Sequence, residues 1–100
     1  MTNRDLLSAE EIQSGLASLS PDWSATDTEL HRAVKFPTFL VAVQFISEMA
    51  PIAEQLDHHP DITLSWRNVG IALSTHSAGG LTALDFDLAR QLDSIIDRLR

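Results

Sequence analysis

The sequence contains no cysteine, and only 7 lysines and arginines stand against 14 aspartates and glutamates. The lack of cysteine excludes a disulfide framework, a thiolate nucleophile and a thiolate metal site. The net charge of −7 argues against nucleic-acid and anionic-membrane partners, because both are bound by clustered basic residues. No apolar run approaches the roughly 20 residues of a membrane-spanning helix.

The length of 100 residues predicts one domain, residues 1–100, and 44% hydrophobic residues are enough to form a core. A domain this small gains from oligomerisation. Residues 1–7 are predicted to be a frayed leader without the apolar centre of a signal peptide, so we expect a soluble cytoplasmic protein.

Three segments have the apolar spacing of helices. Ser8 and Glu11 form a capping-box pattern that starts the first helix, which ends before Pro21. The second helix is predicted from Thr38 to Asp57 and carries Pro51 inside it, where we expect a kink. Two short helices divided at that proline are the alternative. The third helix begins after a capping Thr82.

The remaining segments alternate like strands. Trp23 lies in a short extended piece, and residues 30–36 form a strand in which Arg32 breaks the alternation, which indicates an edge or a partly wet face. Residues 62–66 and 69–76 predict a hairpin that turns at Arg67-Asn68, with Trp66 in the core. The element order αββαββα predicts an α+β fold: a four-stranded antiparallel sheet with three helices on one face.

Three of the four histidines fall between positions 58 and 76. Histidine, with an ordinary pKa of about 6.5, is the side chain suited to proton transfer at neutral pH. His58 and His59 lie at a predicted helix end, one turn after Glu54, and Pro60 forces His59 into an extended conformation. The two rings should therefore diverge, so that one faces a pocket while the other meets its rim.

Plainer interpretations compete with an acid–base site. The two histidines also fit a helix C-cap, and Asp85 fits a capping residue three positions after Thr82. A zinc or iron site is disfavoured, because adjacent histidines point apart and no His-x-x-x-His pair exists. A Ser-His-Asp triad is weaker still, because no nucleophile turn surrounds the serines next to His76.

The spacing of these residues resembles one family. Glu54 is followed after three residues by His58-His59-Pro60, after five by Trp66, after nine by His76 and after eight by Asp85. This gapped pattern, which covers nearly the whole chain, resembles the pterin-4a-carbinolamine dehydratases, and the stretches 57–61, 73–76 and 78–82 are similar to bacterial members.

The resemblance implies an enzyme that dehydrates 4a-hydroxytetrahydrobiopterin to quinonoid dihydrobiopterin by histidine acid–base catalysis, without a metal or organic cofactor. It also implies a homodimer or homotetramer and a functional link to an aromatic amino acid hydroxylase. The catalytic and binding histidines would be His58, His59 and His76, with His58 and His76 favoured as the acid–base pair. The supporting or substrate-binding residues would be Asp57, Glu54, Asp85 and, at the edge of the site, Trp23.

A second class of function has the same fold. Relatives of this family serve as dimerisation partners of a transcription factor or as assembly chaperones in carbon fixation. In such a binding module the helix faces would matter, whereas the three histidines would be dispensable. All three are present in this chain, which favours the enzyme.

Overall fold

The computed structural model describes residues 5–100. Its elements are α1 (Ala9–Ala17), β1 (Ser24–Ala25), β2 (Leu30–Lys35), α2 (Phe39–Leu56), β3 (Asp61–Ser65), β4 (Asn68–Leu73), one 3₁₀ turn (His76–Ala78) and α3 (Ala83–Leu99). This order confirms the predicted α+β fold. Residues 1–4 of the predicted leader lie outside the described part, and Leu7 is held by a backbone hydrogen bond to the carbonyl of Leu81 at 2.9 Å.

The four strands form one sheet in the order β1-β2-β4-β3, and every neighbouring pair is antiparallel. Leu30 at the start of β2 is opposite Leu73 at the end of β4, and Asp61 at the start of β3 is opposite Ala72. These strand ends therefore share one end of the sheet. At that end α2 leads into β3, and β4 leaves towards α3.

The helices cover one face of the sheet, and the two central strands therefore bury every second residue. Leu30 and Val34 of β2 are buried while Ala33 and Lys35 are exposed, as expected for a half-covered antiparallel sheet. Burial of a large aliphatic side chain stabilises the fold by roughly 1.5–3 kcal/mol. The fully buried large apolar side chains are Phe36, Phe45, Leu30, Leu73, Leu81, Leu88, Leu92, Ile96 and Val69.

The helix boundaries follow the predicted caps. The Ser8 hydroxyl accepts from the Glu11 N–H at 3.1 Å, and Glu11 Oε1 accepts from the Ser8 N–H at 2.9 Å. Thr38 caps α2 by accepting from the Val41 N–H at 3.1 Å. α2 is one helix of 18 residues that runs through Pro51, so two separate short helices are excluded. Within residues 5–100, no helix is long and apolar enough to cross a membrane.

The prediction for Trp66 was wrong. The hairpin turns at Trp66 and Arg67, so Trp66 is a turn residue with a φ of 57°, and its side chain is 65% exposed. Arg67 lies over the indole ring at 4.7 Å from its centroid. Asn68, which was placed in the turn because asparagine favours turns, is instead the first residue of β4.

The interpretation of Arg32 was also wrong. β2 is a central strand between β1 and β4. Arg32 lies on the helix-facing side of this strand and is only 3% exposed. Its guanidinium forms an ion pair with Asp93 on α3 and lies 3.5 Å from Asp22. A charged residue can occupy this inward position because a carboxylate on the covering helix neutralises it.

Candidate active site

The end of α2 sends its two histidines in different directions. Asp57 ends the helix in the left-handed conformation, with a φ of 49°, and its N–H donates to the carbonyls of Ala53 and Glu54. The N–H of His58 also donates to the Ala53 carbonyl, at 3.0 Å. This turn satisfies the last carbonyls of the helix. After it, His58 is buried and His59 is exposed, so the predicted divergence of the two rings is observed.

His58 and Asp85 form a buried pair. The Nε2 atom of His58 lies 2.6 Å from Oδ1 of Asp85, and the two side chains are 5% and 0% exposed. The pair joins the end of α2 to the first turn of α3, across 27 residues of sequence. Water cannot screen an interaction at this depth, so the carboxylate fixes the orientation of the imidazole ring.

The second oxygen of Asp85 caps α3. Oδ2 accepts from the backbone N–H of Thr82 at 2.9 Å and from the hydroxyl of Thr75 at 2.8 Å. The two threonine hydroxyls lie 2.7 Å apart. One carboxylate therefore caps α3 with one oxygen and contacts the imidazole of His58 with the other.

His76 follows Thr75 and begins the 3₁₀ turn, where its side chain is exposed. The turn is closed at its base by Thr75 and Gly80, since the Thr75 N–H donates to the Gly80 carbonyl at 2.9 Å. Gly79 has a φ of 79°, a conformation that favours glycine. His76 therefore stands on a tight turn, and Thr75, the residue directly before this turn, hydrogen-bonds Asp85, the partner of His58.

His59 and Glu54 form a second histidine–carboxylate pair at the surface. His59 Nε2 lies 2.5 Å from Oε2 of Glu54, with side chains 56% and 76% exposed. Solvent reaches this pair freely, in contrast to the pair of His58 and Asp85. The structure thus holds one imidazole in the protein interior and presents another to solvent from the same helix end.

Trp23 lies apart from the histidines. It is 6% exposed, and its indole N–H donates to Oδ1 of Asp93 at 2.7 Å. Asp93 is eight residues beyond Asp85 on α3, about 12 Å along the helix axis at 1.5 Å per residue. Asp57, by contrast, is exposed in the turn that leads into His58.

Two clefts elsewhere have volumes of about 530 and 460 Å³. The larger lies on the outer face of the sheet, over Gly70, Ala72 and Ala33, and the smaller lies between α1 and α3. Neither is lined by His58, His59 or His76. In residues 5–100, no three histidine, aspartate or glutamate side chains are grouped so as to hold a metal ion.

Thr75 belongs to the hydrogen-bonded cluster around Asp85, and the sequence analysis missed it. It was treated as an ordinary strand residue, yet it is 1% exposed and bonded to Asp85. A signal was present, because Thr75 continues the inward-facing series of Val69, Ile71 and Leu73. A polar side chain at a buried position needs a hydrogen-bond partner.

Comparison with known proteins gives one family. A family model described as pterin 4 alpha carbinolamine dehydratase matches residues 5–95. A relative from Nocardia farcinica, provisionally named as a pterin-4-alpha-carbinolamine dehydratase, is 47% identical over 91 residues, or 91% of this chain and 95% of the relative. A relative from Roseiflexus castenholzii with the same provisional name is 45% identical over 91 residues, or 91% and 97% of the two chains.

Two solved structures share the fold. A transcriptional coactivator/pterin dehydratase from Brucella melitensis has a TM-score of 0.88 at 34% identity, covering 92% of this chain and 99% of that one. A pterin dehydratase-like protein identified as a RuBisCO assembly factor in the alpha-carboxysome has a TM-score of 0.61 at 19% identity, covering 74% and 86%. The second likeness concerns the fold alone.

Proposed function

Because the chain belongs to the pterin-4a-carbinolamine dehydratase family, we propose that it dehydrates 4a-hydroxytetrahydrobiopterin to quinonoid dihydrobiopterin and water. The observation that carries the proposal is the buried pair of His58 and Asp85, next in sequence to an exposed His59. A histidine oriented by a buried carboxylate is a common arrangement for proton transfer. If His58 only ended α2, its imidazole would need neither to be buried nor to contact a carboxylate whose other oxygen is also hydrogen-bonded.

The reaction needs one proton delivered and one removed. The hydroxyl group on C4a leaves as water once it receives a proton, because hydroxide itself is a poor leaving group. The N5–H bond gives up its proton, and its electron pair forms the C4a=N5 double bond. Two imidazoles, one protonated and one neutral, satisfy both requirements, and each such group typically contributes about 10²–10⁴-fold.

We assign the base to His58. Its Nε2 side is held by Asp85, and a carboxylate in this position stabilises the imidazolium that forms when the ring accepts the N5 proton. The acid is then His76, whose exposed ring can be reprotonated by solvent before each turnover. In each cycle the substrate gives one proton to His58 and receives one from His76, so its net proton count does not change.

His59 is assigned to substrate binding, together with Glu54. The pair is exposed, and the carboxylate 2.5 Å from the ring orients the imidazole. Asp57 adds an exposed carboxylate in the adjacent turn. This carboxylate can accept hydrogen bonds from the amino and amide N–H groups of a pterin ring. Trp23 is not assigned to substrate binding in this proposal, because its indole is buried and donates to Asp93.

The function is tested by stopped-flow measurement of 4a-hydroxytetrahydropterin decay with and without the protein. We expect acceleration above the buffer rate, and a loss of acceleration in His76→Gln. His31→Gln is the matched control, because His31 is the fourth histidine and its partner is Glu29, at 3.2 Å. Folded protein that gives only the buffer rate would refute the enzyme.

The substrate arises where an aromatic amino acid hydroxylase oxidises a tetrahydropterin, so we place the protein in tetrahydrobiopterin recycling in the cytoplasm. The functional link is supply of substrate by that class of enzyme. A fall in regenerated tetrahydropterin when the protein is omitted from a coupled hydroxylase assay is the expected result, and an unchanged level would contradict the link.

The same protein is proposed to be a homo-oligomer. The apolar side chains exposed on α2, β3 and the hairpin turn are Phe39, Leu40, Val43, Leu64 and Trp66. Among residues 5–100, β3 pairs with β4 alone, so one edge of this strand is open within the described part of the chain. A second copy that covers these side chains removes both apolar surface and an open edge from water.

Light scattering at micromolar concentration should give the mass of a dimer or a tetramer. Leu40→Lys, at a side chain 77% exposed, should shift the mass towards the monomer. Gln13→Lys, at an exposed position of α1, is the control that should not. The alternative function is a non-catalytic assembly module, and the same exposed side chains would serve it. A protein that forms oligomers but has no dehydratase activity would favour this alternative.

A further inference from the structure

We propose that Thr75 and Thr82 are positioning residues for His58, acting through Asp85. The inference rests on the proposed function for its kinetic consequence, although its structural core does not depend on it. Neither threonine needs to touch the substrate. Their hydroxyls set the direction of a hydrogen-bond chain that ends on the carboxylate facing the imidazole.

The direction of the chain follows from counting protons. A threonine hydroxyl has one proton, and the proton of Thr75 is donated to Oδ2 of Asp85 at 2.8 Å. The contact of 2.7 Å between the two hydroxyls must therefore use the proton of Thr82, with the oxygen of Thr75 as acceptor. The chain runs from Thr82 to Thr75 to Asp85.

Burial makes this chain rigid. Thr75, Thr82 and Asp85 are 1%, 0% and 0% exposed, and His58 is 5% exposed. Each hydroxyl would be costly to leave unpaired at this depth, so neither has an alternative partner in water. The Thr82 backbone N–H adds a second donor to the same oxygen of Asp85, at 2.9 Å.

The consequence reaches the imidazole. Two donors on Oδ2 stabilise the negative charge of Asp85, so the proton shared between Oδ1 and the ring stays on Nε2 of His58. The ring is then fixed as the tautomer with a bare Nδ1. That nitrogen is the one left to accept the N5 proton of the pterin.

The chain also links the two histidines assigned to proton transfer. Thr75 immediately precedes His76, and Thr82 is the N-cap residue of α3, where Asp85 lies in the first turn. One hydroxyl contact therefore joins the turn that carries His76 to the carboxylate that holds His58. Loss of the Thr75 hydroxyl should disturb the tautomer of one histidine and the placement of the other.

The test compares Thr75→Val, which keeps the shape and loses the hydroxyl, with Thr75→Ser, which keeps the hydroxyl. The ¹⁵N NMR signals of the ring nitrogens, recorded with the imidazoles neutral and assigned with His58→Gln, report which nitrogen of His58 carries the proton. We expect Nε2–H alone in the wild type and in Thr75→Ser, and a mixture of tautomers in Thr75→Val. Thr63→Val, on the outer face of the sheet, is the matched control.

In the dehydration assay, Thr75→Val should lower kcat by about tenfold while KM stays within about twofold, a range typical of residues that orient a functional side chain. Thr75→Ser should restore kcat. If Thr75→Val does not fold, Thr82→Val with Thr82→Ser tests the outer member of the chain in the same way.

A single Nε2–H tautomer together with wild-type kcat in a folded valine variant would overturn the proposal. A wild type without dehydratase activity would refute the proposed function instead. The tautomer measurement would then still decide whether the threonines position His58.

Discussion

Helix α3 carries two inward-facing carboxylates, Asp85 and Asp93, and each accepts from three donors. Asp85 binds His58, Thr75 and Thr82. Asp93 binds the Arg32 guanidinium, the Trp23 indole and the Ser20 N–H. The partner decides what each carboxylate can do, because an imidazole exchanges protons near neutral pH whereas a guanidinium does not.

The largest effect on stability is expected at Asp93. Asp93→Ala leaves the buried cation of Arg32 without its main partner, which should lower the free energy of unfolding by about 3–5 kcal/mol. Urea denaturation measures this change. Asp87→Ala is the control, because its ion pair with Arg90 is exposed and should contribute about 0–1 kcal/mol. Equal losses in the two variants would contradict the division between the carboxylates.

Asp85→Asn should instead affect activity most. The asparagine side chain has the same shape, but an N–H₂ group replaces Oδ1 or Oδ2 and faces donors in place of an acceptor. His58 therefore loses its fixed orientation. We expect at least a tenfold loss of kcat/KM, about 1.4 kcal/mol or more in activation free energy, and a stability loss of about 1–3 kcal/mol. Asp87→Asn on the same helix should change neither. Wild-type kinetics with a lower melting temperature would mean that Asp85 is only a cap.

Trp23→Phe should lower stability less than Asp93→Ala, and it tests whether the residues around Asp93 are separate from the substrate. It removes the indole donor at 2.7 Å from Asp93 but leaves the donors from Ser20 and Arg32. We expect about 1 kcal/mol of lost stability and an unchanged KM for the pterin. A raised KM in a stable variant would instead place Trp23 at the edge of the substrate.

The smallest effect is expected at Glu48, which joins α2 to α3. Hydrogen bonds from Arg98, the larger cause, and from Gln44 lower the pKa of Glu48 below its usual 4.5. A pKa lowered by folding gives stability that is present above the unfolded value and lost as the pH falls through the folded value. Glu48→Gln should therefore be slightly less stable than wild type at neutral pH. Urea melts of the two proteins should converge in acid, and a difference that persists there would contradict this origin.

The sequence predicted the element order, the caps and the inward side of the central strands, because each depends on neighbours within a few residues. The family resemblance placed Asp85 among the residues that support the histidines or bind the substrate, and left open which partner it has. The structure pairs it with His58, 27 residues away in sequence. Arg32 and Trp23 were less accessible to prediction. Both depend on Asp93, which lies 61 and 70 residues away in sequence, and no local pattern indicates that partner.

The turn at Trp66 shows a different limit. β3 is an edge strand with four of its five residues exposed, so apolar alternation does not fix its register. Asn68 favours turn positions more than tryptophan does, and this preference displaced the predicted turn by one residue. Long-range pairing with β4, where Ser65 is opposite Asn68, determined the observed register.

The central claim is that His58, held by Asp85 in the protein interior, transfers the proton in the dehydration. The most direct measurement is kcat/KM of His58→Gln relative to wild type, from stopped-flow decay of 4a-hydroxytetrahydropterin, with folding checked by circular dichroism. A general base in this position predicts a loss of about 10²–10⁴-fold. A folded His58→Gln protein with kcat/KM within about twofold of wild type would contradict the claim.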